Sequence, residues 1–279
     1  MTKLSAPAPA KVNLSLAVTG RRPDGYHELD SLVVFAEIGD IVTVASAPEL
    51  GLEVNGPFAA RLDSGGDNLV LRAARLFDSG QGAEILLTKN LPVAAGLGGG
   101  SSDAATVLRL LAQLWDLPPP AGQVADLGAD LPVCLYGRPA RVGGIGEIVL
   151  PAELPDFSLL LVNPGVALST AEVFSAFDLA ASEPPPAPGR FSDLTSLVSY
   201  LRQVPNDLEP PARALQPEIG EVLVALAESP GCRLSRMSGS GATCFGIFDD
   251  RAAAEAAASE LSRNRPQWWV AATGLFRGR

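Results

Sequence analysis

Apolar and polar residues alternate along the first part of the chain. Every second position carries an apolar side chain, at Val12, Leu14, Leu16 and Val18. A period of two is typical of a strand with one buried face. The pattern predicts a strand over residues 6–18 that turns Lys11 and Asn13 toward the same face. Other apolar runs predict strands at residues 29–37 and 41–45, which flank Gly39 and Asp40, and at 83–89, 157–162 and 268–272.

A helical spacing of apolar residues is clearest after a glycine-rich stretch, at Val107, Leu108, Leu110, Leu111 and Leu114. Similar spacing predicts helices at residues 68–77, after the capping residue Asp67, and at 123–127, 194–201, 218–227 and 251–263. Strands and helices that follow one another without strict alternation indicate the α+β class. Prolines at residues 151–155 predict a boundary between an N-terminal domain, residues 1–152, and a C-terminal domain, residues 153–279.

The glycine-rich stretch spans residues 92–102 and reads PVAAGLGGGSS. It follows the predicted strand at residues 83–89 and leads directly into the predicted helix. Glycines let an anion approach the backbone, and a helix N-terminus supplies unpaired N–H groups and the positive end of the dipole. The stretch therefore favours the binding of phosphate, with a bare surface turn as the alternative.

Two common nucleotide-binding patterns do not fit this loop. A Walker loop needs a lysine before a serine or threonine at the helix start, and no lysine occurs from Asn90 to the end of the helix. The dinucleotide fingerprint needs a third glycine where the chain has Ser101, counted from Gly96, or Asp103, counted from Gly98. The loop is therefore neither of these types.

Composition indicates a globular protein and excludes several other classes. The 279 residues, 47% of them apolar, suffice for one large or two ordinary domains. The net charge of -10, without a cluster of Lys or Arg, argues against a nucleic-acid partner. Neither a membrane span nor a signal peptide is recognisable, so we expect no membrane partner and a cytoplasmic protein. The cysteines match no zinc spacing and are expected as free thiols: Cys134, Cys232 and Cys244.

Some polar residues are candidates for chemistry. Taken alone, Lys11 reads as a solvated strand residue and Asp130 as a helix cap, and Asp126 is an equally acidic rival one turn earlier. The loop at residues 20–28 carries Arg21, Arg22, Tyr26 and His27, the last being the single histidine. This loop suits a planar polar ligand, or its aromatic residues cover a strand end.

The glycine-rich stretch, from Pro92 to Ser102, resembles the ATP loop of the GHMP kinases. Further blocks occur in the order that one kinase of this family shows, at residues 8–15, 22–27, 67–69, 128–132, 163–165, 206–209 and 237–241. These blocks are spread over nearly the whole chain, which makes the resemblance specific to that kinase. It implies a two-domain GHMP kinase fold with the active site in the cleft between the domains.

The resemblance also implies ligands and residue roles. ATP would be the phosphoryl donor, with Mg²⁺, and the acceptor would be a small molecule, a cytidine diphosphate alcohol of isoprenoid precursor synthesis. Asn68 would lie near the adenine, and the ATP loop would comprise Pro92, Val93, Ala94, Ala95, Gly96, Leu97, Gly98, Gly99, Gly100, Ser101 and Ser102. Tyr26 and His27 would meet the cytosine, and further substrate contacts would come from Asn13, Thr170 and Phe174. The metal ligands stay unassigned, and a homodimer is one assembly to consider.

Lys11 and Asp130 would form the catalytic pair in such a kinase. Phosphoryl transfer needs positioning, charge stabilisation and a group that orients or deprotonates the attacking hydroxyl. Asp130 suits the last task, and Lys11 suits the stabilisation of developing negative charge. Only the resemblance decides for Asp130 over Asp126.

Other functions are distinguishable by these same residues. Another GHMP kinase, acting on mevalonate or homoserine, would not need Tyr26 and His27 because its substrate has no base. A nucleotide-binding protein without turnover would be expected to lack Lys11 or Asp130, and both are present.

Finer expectations concern the surroundings of the two ligands. His27 is expected to stack on the pyrimidine, with Phe174 on the opposite face. Asp103 is expected to cap the helix N-terminus, with Mg²⁺ binding as the alternative. Arg21 and Arg22 either meet substrate phosphates or face water.

Overall fold

The structure, a computed structural model, describes residues 2–62, 65, 67–120, 124–178, 185–187 and 189–278. The first half contains β1 (Lys3–Arg21), β2 (His27–Ala47), β3 (Gly51–Asn55), a short 3₁₀ helix (Ala59–Arg61), α1 (Leu69–Arg75), β4 (Gly82–Thr88), α2 (Gly99–Trp115), α3 (Val124–Leu127), α4 (Leu131–Tyr136), β5 (Ala140–Gly144) and β6 (Ile148–Pro151). The predicted helix at residues 123–127 is thus present as α3, and position 123 lies outside the described residues.

The second half contains β7 (Ser158–Asn163), α5 (Thr170–Ala176), α6 (Leu194–Gln203), α7 (Glu209–Leu215), α8 (Glu218–Glu228), β8 (Leu234–Met237), β9 (Cys244–Phe248), α9 (Arg251–Asn264), β10 (Trp269–Thr273) and β11 (Leu275–Phe276). This mixture confirms the predicted α+β class. Within the described part of the chain, no helix combines the length and the apolar character needed to span a membrane.

The long strand β2 organises the first sheet. It pairs with β1 along most of its length, with β5 near its start, with β11 near its middle and with β4 near its end. The prediction of two strands around Gly39 was wrong, because β2 continues through this residue. A Cβ on Gly39 would lie 2.1 Å from the carbonyl oxygen of Ala8, so the glycine permits close strand pairing.

A smaller sheet with the order β10-β7-β9-β8 packs against the first sheet. The alternation predicted for β1 is confirmed, because Ala10, Val12 and Leu14 lie in an apolar core with residues of β7 and β9. A separate core lies between the first sheet and the helices α1, α2 and α4. Strand β11 returns to the first sheet, so the last residues of the chain join both halves. The boundary at residues 152 and 153 stays a prediction.

Candidate active site

The glycine-rich loop ends in a helix start that is open to a ligand. Gly98 holds the left-handed conformation (φ 58°) before α2, and no side chain caps this helix. The first N–H groups of a helix have no acceptor within the helix. Gly98, Gly99, Gly100 and Ser101 line a cavity of about 410 Å³, called the central cavity below. An anion in it would meet the positive end of the α2 dipole.

A second glycine loop, residues 238–243 between β8 and β9, fixes the first one. The hydroxyl of Ser238 donates to the carbonyl oxygen of Gly96 at 2.9 Å. The backbone N–H of Thr243 donates to the carbonyl oxygen of Ala95 at 3.2 Å. Asn206, in turn, donates to the carbonyl oxygens of Met237 and Gly239, each at 2.8 Å. The conformation of the first loop is therefore held by long-range contacts.

Lys11 and Asp130 meet in the central cavity. The Nζ atom of Lys11 lies 2.5 Å from Oδ1 of Asp130, and their side chains are 6% and 42% exposed. Asp130 stands at the N-cap position of α4, yet its side chain makes no capping bond. The rival Asp126 is exposed on α3. The structure therefore brings Asp130, rather than Asp126, to Lys11.

Asn13 lies beside Lys11 on the same face of β1, as the alternation predicted. Its Nδ2 donates to Oγ of Ser31 at 2.7 Å, and its backbone N–H donates to Ser238 at 3.1 Å. Its Oδ1 is buried and has no hydrogen-bond partner among the described residues. An unpartnered acceptor that lines a cavity is suited to a ligand hydroxyl.

Thr170 closes another side of the central cavity. It begins α5, and its Oγ1 lies 2.8 Å from Oγ of Ser240 in the second glycine loop. Both residues line the cavity. Ser240 was not a predicted site residue, although the block at residues 237–241 contains it.

His27 and Phe174 line a larger cavity of about 1,020 Å³ that adjoins the central one, called the His27 cavity below. Tyr26, 60% exposed, contributes to its rim. The rings of His27 and Phe174 are stacked with centroids 5.0 Å apart. A base between two rings needs a separation of about 7 Å, twice the contact distance of carbon atoms. The expected sandwich therefore requires these rings to move apart.

The charge of His27 follows from its surroundings. Burial lowers the pKa of His27, and the nearby charge of Arg21 lowers it further. The imidazole is therefore neutral at pH 7. A neutral ring can stack on a base without attracting or repelling charge.

The neighbouring arginines have different environments. Arg22 donates to Oε1 of Glu28 at 3.1 Å and to Oε1 of Glu147 at 2.9 Å. Arg21 lines the His27 cavity and forms no ion pair with a described residue. Of the two, Arg21 is available to an anionic group in the cavity.

A smaller, mostly apolar cavity of about 330 Å³ adjoins the central cavity on its other side. It is called the Asn68 cavity here, and Asn68, Leu69, Pro92, Val93, Gly99 and Gly100 are among its lining residues. Asn68 is the N-cap of α1, one residue later than predicted, and its Oδ1 accepts from Val70 at 3.0 Å. Size and lining suit a flat nucleobase.

Some predicted loop residues have structural roles. Leu97 is buried in the apolar core, and the Ser102 hydroxyl donates to the carbonyl oxygen of Pro9 at 2.7 Å. The backbone N–H of Lys11 donates to the carbonyl oxygen of Leu97 at 2.8 Å. These contacts attach the loop to β1.

Asp103 is not the N-cap of α2, so that prediction was wrong. Gly98 takes the N-cap position, and Asp103 is 1% exposed within the helix. Its Oδ2 accepts from Nζ of Lys89 at 3.0 Å, and Lys89 also donates to the buried Asp40. Sequence reasoning missed Lys89 and Asp40, although Lys89 stands just before the loop.

The described residues contain no group of three or more His, Cys, Asp or Glu side chains that is arranged to hold a metal ion. The cysteines are free, as predicted. Asp130 supplies the one carboxylate among the described residues that line the central cavity.

Comparison with known proteins agrees with this geometry. Residues 68–139 match the GHMP kinases N terminal domain, and residues 190–267 match the family described as GHMP kinases C terminal. The chain belongs to the GHMP kinases. The first match contains the open start of α2 and Asp130, which both line the central cavity.

Several GHMP kinases are similar to this chain over nearly its whole length. A Cereibacter sphaeroides protein named 4-diphosphocytidyl-2-C-methyl-D-erythritol kinase is 54% identical over 270 residues, 95% of this chain and 96% of that protein. A crystal structure of 4-(cytidine 5'-diphospho)-2C-methyl-D-erythritol kinase has a TM-score of 0.79 and 37% identity, covering 99% of this chain and 100% of its own. A homoserine kinase from Cytophaga hutchinsonii, 18% identical with a TM-score of 0.69 over 99% of this chain and 95% of its own, shares the fold.

Proposed function

We propose that this chain transfers the γ-phosphoryl group of ATP to the 2-hydroxyl of 4-diphosphocytidyl-2-C-methyl-D-erythritol in non-mevalonate isoprenoid synthesis, releasing ADP. The observation that carries the proposal is the Lys11–Asp130 pair, which lies between a base-sized cavity and a larger one. A kinase needs such an order of donor, reacting groups and acceptor. The names of the highly identical relatives support this acceptor.

ATP would span the Asn68 cavity and the central cavity. Its adenine would lie against Leu69 and Val93, and its phosphates would follow Gly98, Gly99 and Gly100 to the start of α2. These glycines keep side chains out of the path of the phosphates. The α2 dipole and the first N–H groups of the helix would stabilise the phosphate charge.

Asp130 would act on the acceptor hydroxyl. As the 2-oxygen forms its bond to the γ-phosphorus, the bond from that phosphorus to the β,γ-bridging oxygen breaks, and the hydroxyl proton passes to Asp130. Lys11 is held 2.5 Å from this carboxylate. Its ammonium group would stabilise the negative charge that develops on the transferred phosphoryl group.

The acceptor would occupy the His27 cavity with its cytidine end and the central cavity with its erythritol end. The neutral ring of His27 would stack on the cytosine after moving from Phe174, and Tyr26 would cover its open side. Oδ1 of Asn13, unpartnered among the described residues, would accept a hydrogen bond from an erythritol hydroxyl. Thr170 lies where the two cavities adjoin.

Mg²⁺ would bind together with ATP. The described residues offer no protein cage for a metal ion, which agrees with the preference of Mg²⁺ for phosphate oxygens and retained water. Asp130 lines the same cavity but is assigned to the acceptor hydroxyl, so phosphate oxygens and water would supply the ligands of the ion. The ion would neutralise charge on the β- and γ-phosphates.

One assay tests the proposal. ADP release is measured with 4-diphosphocytidyl-2-C-methyl-D-erythritol, with mevalonate and with homoserine. We expect turnover with the first acceptor alone. Turnover with mevalonate or homoserine, or with none of the three, would overturn the proposed acceptor.

Two aspartate variants test the catalytic pair. Asp130→Asn keeps the side-chain shape but loses the proton acceptor, so we expect kcat to fall about 10²- to 10⁴-fold with nearly unchanged ATP affinity. Asp126→Asn is the matched control, because Asp126 is an exposed aspartate one turn earlier. Equal rates in the two variants would contradict the role of Asp130.

A further inference from the structure

A buried cluster of charged side chains lies directly beneath the start of α2. Lys89, just after β4, donates to Asp40 of β2 and to Asp103 of α2. Their side chains are 3%, 0% and 2% exposed. A Cβ on Gly99 would lie 3.2 Å from Nζ of Lys89, so the cluster contacts the first residue of the helix.

The same cluster reaches the Asn68 cavity. Lys89 and Asp103 line it together with Gly99 and Gly100. Loss of the hydrogen bond from Lys89 to Asp103 would therefore move the surface that a nucleotide contacts. Neither residue has a part in the transfer step derived above.

We propose that Lys89 and Asp103 are positioning residues for ATP: their buried hydrogen bond holds the first turn of α2, and the charge on Asp103 tunes nucleotide affinity. The inference rests on the ATP site of the proposed function. It does not depend on the identity of the acceptor.

The two carboxylates of the cluster are not equivalent. Oδ1 of Asp40 accepts from the backbone N–H groups of Asn90 at 2.6 Å and Leu91 at 2.9 Å, and its Oδ2 accepts from Lys89. Asp103 accepts from Lys89 through Oδ2, while its Oδ1 is buried with no partner among the described residues. A buried carboxylate with an unpartnered oxygen is costly to ionise. The ionised form of Asp103 is therefore disfavoured by its surroundings.

Burial raises the pKa of Asp103 to about 8, with Lys89 acting to lower it and Asp40 to raise it. Below this pH the carboxyl is neutral, and above it a negative charge appears beside the nucleotide cavity. The elements around it contribute further titratable or charged groups: Lys11 of β1, the exposed Arg72 and Arg75 of α1, Cys134 of α4 and Asp67 at the cavity. Burial raises the pKa of the Cys134 thiol well above its usual range, so this thiol stays neutral.

The sign of the effect on ATP follows from charge. ATP is an anion, so it binds more tightly to the form with neutral Asp103, and its affinity falls as pH rises through about 8. One unit charge on the order of 10 Å from the phosphates, at an effective dielectric constant of about 20, corresponds to about a tenfold change in affinity.

The test compares wild type with Asp103→Asn, which has the same shape and no charge at any pH. The Kd of ATP with Mg²⁺ is measured by calorimetry from about pH 6.5 to 9.5, without acceptor. We expect about a tenfold rise in the wild-type Kd and a change below about twofold in the variant. Ionisation of ATP itself is common to both proteins and cancels in the comparison.

Lys89→Met, alone and combined with Asp103→Asn, provides the second arm. The single variant leaves Asp40 and Asp103 buried without their shared hydrogen-bond donor, so we expect weaker ATP binding by at least about tenfold. Removal of one carboxylate in the double variant should recover part of that loss.

The outcomes separate the inference from the proposed function. Parallel pH profiles in wild type and Asp103→Asn would overturn the tuning role. If the Lys89 variants have a lower Tm but an unchanged ATP affinity, the pair has a structural role alone, and its role in positioning ATP is refuted. Absence of ATP binding at every pH would overturn the ATP site itself, whereas failure with the cytidyl acceptor alone would leave this inference standing.

Discussion

A single methyl group at Gly96 should reveal how strictly the glycine-rich loop is held in its conformation, separately from how well the loop binds a ligand. Its φ is +73°, a left-handed value that costs a residue with a Cβ about 1–2 kcal/mol. The Cβ of an alanine would also lie 2.3 Å from the carbonyl oxygen of Ser238 and 2.8 Å from that of Gly241. Backbone atoms form both contacts, so one of the two glycine loops must shift.

The cost of Gly96→Ala can be built up from these contacts. Overpacking of this kind costs about 1–3 kcal/mol, and the shift endangers the hydrogen bond from Ser238 to Gly96, worth about 1 kcal/mol. Together with the backbone term, we expect the free energy of unfolding to fall by about 2–6 kcal/mol. The total stability of a domain is about 5–15 kcal/mol, so the loss is a large fraction of it.

Gly100→Ala is the matched control within the same loop. The nearest atom to its Cβ is Cδ2 of Leu69 at 4.0 Å, and no positive φ is involved. Because alanine favours the helix over glycine, we expect unchanged or slightly higher stability, by up to about 1 kcal/mol. Its methyl group would enter the cavities that we propose for ATP, so nucleotide affinity should fall nevertheless.

Urea unfolding gives the stability of both variants, and calorimetry gives their ATP affinity at a temperature where both are folded. A Gly96→Ala protein within about 1 kcal/mol of wild type would refute the reasoning, because backbone contacts of 2.3 Å leave no inexpensive adjustment. So would a Gly100→Ala protein that loses as much stability as Gly96→Ala.

The remaining predictions concern the acceptor. Arg21→Gln should raise the KM for the cytidyl acceptor about tenfold, because this cation faces the His27 cavity; Arg22→Gln, whose arginine is held by Glu28 and Glu147, is the control and should change KM less than about threefold. Similar KM values in steady-state assays of both variants would count against a phosphate contact of Arg21. His27→Ala should raise the KM for the acceptor more than the KM for ATP, since base stacking is worth about 1–3 kcal/mol; an equal effect on both substrates would argue against stacking on cytosine.

Much of the fold was predictable from local patterns. The alternation in β1 and the helical spacing in α2 depend only on neighbouring residues, and both elements formed as expected. The break expected at Gly39 was wrong because the sequence does not reveal that Ala8 would approach this residue. A glycine that permits a turn and a glycine that permits close strand pairing look alike in a sequence.

The candidate site, like the fold, was only partly predictable from the sequence. Lys11 and Asp130 are 119 positions apart, and only the family resemblance favoured Asp130 over Asp126 before the fold joined them. The cluster of Asp40, Lys89 and Asp103 was missed because its members belong to three separate elements and match no local motif. Asp40 and Lys89 read as ordinary surface charges until burial is known, and Asp103 reads as a helix cap.

The glycine-rich loop is in direct contact with Lys11, the lysine that we propose for catalysis. The backbone N–H of Lys11 donates to Leu97 at 2.8 Å, and a Cβ on Gly98 would lie 3.1–3.3 Å from the Lys11 side chain. Lys11 thus packs against the very residues that would hold the phosphates. A small displacement of the loop would carry the phosphates and the ammonium group together. Asp130 precedes a different helix, α4, and meets Lys11 through their ion pair, so its distance from the phosphates is more sensitive to loop motion.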